Sequence, residues 1–147
     1  AMEKANESQE REFTTIMFDI DFFKQVNDTY GHAGGDAVLI SFAKLLETEI
    51  TSPNLVGRIG GEEFLAILYL NQDQAAEFCK KLIIKINDNT VQFDGIDIKI
   101  TSSGGVAFST ETATSADLTN KADERLYEAK KSGRNRFKLI DSELVGD

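Results

Sequence analysis

Apolar and polar positions along the chain alternate between a strand-like and a helix-like period. Residues 13 to 18, FTTIMF, are aromatic and β-branched and run into the acidic DID at 19 to 21, the pattern of a buried strand that ends in carboxylates. From 36 to 50, DAVLISFAKLLETEI repeats Val38, Phe42, Leu45, Leu46 and Ile50 at helical spacing, with Asp36 as a candidate N-cap after Gly34 and Gly35. LVGRI at 55 to 59 and FLAILYL at 64 to 70 are short apolar runs separated by Gly60 through Glu63, the signature of a β-hairpin with a polar tip. A second amphipathic helix is predicted over 73 to 87 through Ala76, Phe78, Cys79, Leu82, Ile83 and Ile86, and IDIKITSSGGVAF, 96 to 108, alternates as one long strand. Thr114 with Asp117 resembles a capping box for a helix from about 115 to 131, stopped by Gly133, and RFKLI at 136 to 140 makes a last strand.

The predicted order is β-α-β-β-α-β-α-β. Strands outnumber helices and adjacent strands are joined by tight turns, which predicts an α/β (α+β) fold with a mainly antiparallel central sheet flanked by helices. A chain of 147 residues fits one domain, 1–147. The first dozen residues and the acidic tail DSELVGD are expected to be loosely held. No apolar run approaches the roughly 20 residues that cross a bilayer, and the charged start has no leader-like apolar segment.

Charge narrows the classes of partner. The formal net charge is -9, which disfavours a broad basic face and hence non-specific nucleic-acid or anionic-membrane contact by this domain. Any phosphate ligand must be held locally by a few cations. A single cysteine, Cys79, forms no internal disulfide, and with the lone His32 it builds no zinc site; both facts suit a reducing cytoplasm.

Candidate chemistry lies in the carboxylates. On an extended strand Asp19 and Asp21 point to the same face, about 6.5 to 7 Å apart. With Glu62 and Glu63 of the hairpin tip, four carboxylates converge if the two strands are neighbours, and such a cluster calls for a cation. Oxygen donors select Mg²⁺ or Mn²⁺. Taken singly, a Glu-Glu pair is more often a solvated turn.

FDIDFFKQVNDTYGHAGGDAVL, followed by RIGGEEF and a C-terminal ADERLYEAKKSGRNR, resembles the GGDEF-type diguanylate cyclases from about residue 13 to 140. The resemblance implies a palm-like domain similar to class III nucleotide cyclases. It also implies condensation of two GTP into cyclic di-GMP with release of two pyrophosphates, in an active site formed between two domains across a two-fold axis. Asp19 and the backbone carbonyl of Ile20 then look like metal ligands, Glu62 like a second ligand and the general base toward the ribose 3′-hydroxyl, and Glu63 like a supporting ligand. Two Mg²⁺ or Mn²⁺ ions per half-site, about 3.5 to 4 Å apart, are the implied cofactors.

By the same resemblance Asn27 and Asp36 read the guanine edge, although Asp36 also reads as a plain helix cap. Lys24, Lys130 and Arg134 look like phosphate contacts, or else solvated surface cations. Phe23 or its neighbour Phe22 borders the base pocket, His32 contacts the nucleotide through its backbone or stabilises a turn, and Gly60 and Gly61 let the backbone approach ribose and α-phosphate closely. The alternative function is a non-catalytic GTP-binding or partner-binding module of the same fold. Two departures stand out. Thr51 to Asn54, TSPN, replace the R-x-x-D of the family's product-inhibited site, so feedback inhibition by that route is expected to be absent or weak. The family's D-x-L-T-G-L-x-N-R-R segment and the sensor region it joins are missing from this chain.

Overall fold

In the computed structural model, residues 11–140 and 143–146 are described. β1 (Thr14–Ile20) is buried along its whole length. Such a strand needs a partner on each edge and a layer on each face. Its edges are filled by β3 (Glu63–Leu68) and β6 (Ser102–Phe108), both antiparallel to it. With β2 (Leu55–Gly60), β7 (Arg136–Lys138) and β8 (Leu144–Gly146) they form a six-stranded sheet of order β2-β3-β1-β6-β7-β8. The β6–β7 pair is parallel and the other pairs are antiparallel.

Side-chain alternation along β1 assigns the helices to their layers. Ile16, Phe18 and Ile20 join the main core with Val38, Phe42 and Leu46 of α1 (Phe23–Glu49) and Cys79, Leu82 and Ile86 of α2 (Gln72–Asp88). Met17 turns to the opposite face and packs with Ala107 of β6 and Leu118, Ala122 and Leu126 of α3 (Ser115–Lys131). Asp19, two residues beyond Met17, therefore lies on the face that α3 covers. Edge-to-face rings, Phe18 on Phe137 at 5.6 Å and Phe42 on Phe64 at 5.2 Å, fill the core below the site.

A buried ion pair fixes α3 against the sheet. Arg125 is 8% exposed and donates to the Val106 carbonyl at 2.8 Å and to both oxygens of Glu111, in the 3₁₀ turn Ser109–Glu111, at 2.7 and 2.6 Å. Burial alone would raise the Glu111 carboxyl, yet the Arg125 guanidinium and the Phe108 N–H hold it below the ordinary value. The approach of α3 to β6 depends equally on Gly105, where a Cβ would collide with the backbone at Ala122 and Leu126.

Several predicted elements need correction. The helix expected over 36–50 begins at Phe23, and Asp36 lies inside it instead of capping it. Gly31, at φ 77 and ψ 173, breaks its path, so residues 23–30 and 32–49 form two packed segments. The long strand expected over 96–108 is two strands: β5 (Ile96–Ile98) folds back on β4 (Val91–Phe93), and only Ser102–Phe108 enters the main sheet. The β4–β5 turn is Asp94–Gly95, both at positive φ (52 and 75), a dipeptide suited to a two-residue hairpin. Within the tail expected to be loose, Leu144–Gly146 pairs with β7 as β8. The expectation for residues 1–10 lies outside the described residues. Among those described, no helix is long and apolar enough to cross a membrane.

Gly105→Ala is expected to cost at least about 3 kcal/mol or to prevent folding, because rigid backbone blocks the added methyl. Gly57→Ala, where a Cβ meets nothing within 4 Å, is expected to change stability by less than about 1 kcal/mol. Urea unfolding of the two variants measures the contrast.

Candidate active site

The chain's chemistry-bearing residues gather at the end of the sheet where β1 finishes. Register sets Asp19 directly opposite Glu63 on β3 and opposite Ser103 on β6. One residue on, the Ile20 N–H donates to the Glu62 carbonyl at 3.3 Å, which holds the hairpin tip against the strand end. The tip is shorter than the sequence predicts, because Gly60 pairs with Glu63 across a bulge after Arg58 and leaves Gly61 and Glu62 as the turn. Gly61 has φ 46, a conformation that favours glycine, and a Cβ at Gly60 or Gly61 would meet nothing within 4 Å. Internal packing therefore does not demand these glycines. The space over the tip is open to a ligand.

Arg58 braces this turn by donating from Nε to the Gly61 carbonyl at 2.7 Å. Lys130, in the last turn of α3, reaches across to Asp19 and forms an ion pair with its carboxylate. Even so, the Asp19 carboxyl is raised above its ordinary value: burial is the main cause, with Glu62 and Asp21 adding to it and Lys130 opposing. Glu63 is also raised, first by desolvation and then by Asp19 and Asp123. Negative charge thus remains in excess of what one ammonium neutralises.

Asp21 departs from the expected cluster of four. β1 ends at Ile20, and the Asp21 carboxylate, 3% exposed in its residue, accepts from Thr101 Oγ1 at 2.6 Å, Ser103 Oγ at 2.7 Å and Asn135 N at 2.9 Å. Those donors engage it in the fold, so it is not an open ligand. Among the described residues no group of three or more Asp, Glu, His and Cys side chains is placed to hold a metal ion. Asp19, Glu62 and the Ile20 carbonyl make a partial, all-oxygen set. Mg²⁺ is commonly held by one or two carboxylates with substrate phosphates completing its shell, and the excess negative charge here favours such a cation, so the residues present fit it.

A second group flanks the Gly31 break. Asn27, on the first helical segment, lies so close to the second that a Cβ at Gly35 would collide with its Oδ1. A Cβ at Gly34 would likewise collide with the Cβ of Tyr30. The two buried glycines, read from sequence as the prelude to an N-cap, instead let the segments touch and seat the Asn27 amide beside the stretch that carries the exposed Asp36. Phe23 is half-buried on the core and its ring approaches Gly35, whereas Phe22 is 52% exposed. His32 follows the break and is exposed, as is Lys24. Arg134 stacks its guanidinium over the Phe22 ring at 4.6 Å. The structure thus brings Asp19, Ile20, Glu62, Glu63 and Lys130 into one cluster, and places Asn27 and Phe23 together at Gly35. Sequence reading missed Arg58, Asp123 and the engagement of Asp21; the signal available for Asp21 was the polar run Thr101 to Ser103 opposite the end of β1.

A mainly antiparallel sheet with helices on both faces and an acidic site at a strand end joined to a glycine hairpin defines a palm-type α/β domain. The chain belongs to the family described as diguanylate cyclase, GGDEF domain, which it matches over residues 1–136. It is 40% identical over 145 residues to diguanylate cyclase A of Treponema denticola, covering 95% of this chain and 38% of that protein, so it spans well under half of that relative. Its fold is similar to the active GGEEF domain of a diguanylate cyclase from Vibrio cholerae, with a TM-score of 0.83 and 30% identity over 97% of this chain and 90% of that one. It is also similar to the GGDEF domain of DgcB from Caulobacter crescentus, solved with c-di-GMP, with a TM-score of 0.84 and 28% identity over 93% and 84% of the two chains.

The raised carboxyls have a consequence for stability. A carboxyl whose pKa is raised on folding gives the folded state more protons than the unfolded chain near that pKa, so its contribution is fullest in acid and is lost as pH rises. Without divalent cations, Glu63→Gln is therefore expected to melt higher than the native chain at neutral pH. The difference should shrink as pH falls toward 4.5, the ordinary value for the group. Melting curves from pH 4 to 8 in a chelating buffer measure it.

Proposed function

We propose that this chain is the condensing domain of a diguanylate cyclase. It binds one GTP, and two copies facing each other across a two-fold axis join two GTP into cyclic di-GMP with release of two pyrophosphates. The observation that carries this reading is the register that sets Asp19 opposite Glu63 while Glu62 is held to the backbone of Ile20, so that residues far apart in sequence share one acidic site at a strand end. Family membership and the likeness to cyclase domains support it.

In this reading Asn27 and Asp36 hold the guanine edge. Asp36 accepts from the N1–H and N2–H₂ donors that adenine lacks, and Phe23 and the backbone at His32 border the base. Asp19, Glu62 and the Ile20 carbonyl, with Glu63 in support, are the oxygens that would hold Mg²⁺ or Mn²⁺, two ions per half-site. When bound, such ions supply Lewis acidity and neutralise phosphate charge. Glu62 takes the proton of the ribose 3′-hydroxyl. The 3′ oxygen then bonds to the α-phosphorus of the GTP on the facing copy, the bond from that phosphorus to the bridging oxygen breaks, and the electron pair leaves on pyrophosphate. Lys24, Lys130 and Arg134 steady the developing charge, Lys130 by exchanging Asp19 for phosphate. Gly60 and Gly61 admit ribose and α-phosphate against bare backbone. The domain acts as a cytoplasmic output module that self-associates, with no role in nucleic-acid or membrane binding.

Incubation of the concentrated chain with GTP and Mg²⁺, followed by chromatography for cyclic di-GMP, tests the reading beside Glu62→Ala, for which a loss of at least about a hundredfold is expected. Equal product from the variant, or none from an assembled native dimer, overturns it. Gly35→Ala, which displaces the Asn27 amide, is expected to raise the KM for GTP about tenfold, the size of one lost polar contact.

A further inference from the structure

Three of the four non-glycine residues with positive φ among those described are Phe22 (57), Arg134 (62) and Asn135 (51); the fourth, Asp94, is accounted for by its hairpin turn. Side-chain-bearing residues avoid this region, and positions held in it by surrounding structure gather where geometry matters for function. All three lie around Asp21. Phe22 follows it in the chain, Asn135 donates its N–H to the Asp21 carboxylate at 2.9 Å, and Arg134 precedes Asn135 and stacks on Phe22.

Asp21 joins three segments at once. Its N–H donates to the Thr101 carbonyl at 2.9 Å, its carboxylate accepts the Thr101 and Ser103 hydroxyls at the start of β6, and the Asn135 N–H ties it to the turn between α3 and β7. A carboxylate with almost no solvent contact is retained only when its oxygens are hydrogen-bonded; here Oδ1 accepts one donor and Oδ2 two. A neutral side chain would serve a plain turn at lower desolvation cost. What the carboxylate adds is a rigid tie between the turn carrying Arg134 and a point two residues from Asp19. Arg134 is anchored from its other side as well, its N–H donating to the Ala129 carbonyl at 3.0 Å.

We infer that Asp21 is a positioning residue: through Asn135 N it locks the Arg134 guanidinium, stacked on Phe22, in fixed register with the oxygen donors at the end of β1, so that Arg134 meets the phosphates of a nucleoside triphosphate held there. The inference rests on the phosphate role proposed above for Arg134, and it assigns Asp21 no contact with nucleotide.

The test is a double-mutant cycle on the 147-residue chain with Asp21→Ala, Arg134→Ala and both together. Calorimetry with Mg²⁺ gives the affinities for the α,β-methylene analogue of GTP, which cannot release pyrophosphate, and for GMP. Each single variant is expected to lower the analogue-to-GMP affinity ratio about tenfold, and the double variant to lower it no further, because both remove the same contact. Asp21→Asn, which keeps an acceptor for Asn135 N, should recover most of the ratio. Equal losses for the two nucleotides in Asp21→Ala, an unchanged ratio, or a double variant down about a hundredfold would mean that Asp21 only supports the fold, and overturns the inference. If Arg134→Ala alone leaves the ratio intact, the phosphate role itself fails and the inference with it. Should Asp21→Ala not fold, the cycle is run with Asp21→Ser, whose shorter side chain gives up the Asn135 N–H, and a coupling below about threefold overturns the inference.

Discussion

Antiparallel pairing of β1 with β3 is the constraint on which the site depends. Its register sets Asp19 against Glu63 and brings the Glu62 backbone to Ile20. Like charges directly opposite each other on a sheet are unfavourable, and here burial adds to the cost by withholding water from both carboxylates. The core beneath tolerates this because the rest of the strand is filled with well-packed apolar side chains from both layers. Lys130 offsets part of the excess from a third element, α3, whose seating on the sheet is fixed by the Arg125–Glu111 pair and by Gly105. Site and fold are thus held by the same contacts.

How much of this was legible in the sequence depends on the range of the interaction. β1, the β2–β3 hairpin, α2 and α3 follow from local periodicity and capping, and their extents agree closely with the pattern. Of the capping box read at Thr114 and Asp117, the Thr114 half is present, its hydroxyl accepting from the Asp117 N–H at 3.1 Å. The errors arise where a local signal is ambiguous or is overridden. Gly34 and Gly35 read as the approach to a helix cap at Asp36, yet they are glycines because another helical segment presses on them, which no local rule reveals. The β4–β5 hairpin was hidden by an alternation that continues through Asp97 and Lys99 into β6, although Asp94–Gly95 carried the turn signal. The motif residues were legible only as a set, since a single acidic pair has a bland reading as a solvated turn.

The least legible residue was Asp21, whose spacing from Asp19 matches a pair of ligands on one face of a strand. The strand ends one residue earlier, and side-chain donors supplied from about eighty residues away turn its carboxylate to structural use. Spacing alone does not separate a ligand from an anchor. Only the partners distinguish them.

Placing β1 between β3 and β6 also shapes how the domain assembles. The segments that meet at its end come from residues near 20, 62, 103 and 130, so the site closes only after contacts spanning most of the chain have formed, the kind of topology that folds slowly. No partly folded fragment presents the same cluster of groups. Whatever binds there engages the native state alone, and its binding free energy therefore protects the whole domain against unfolding rather than one loop of it.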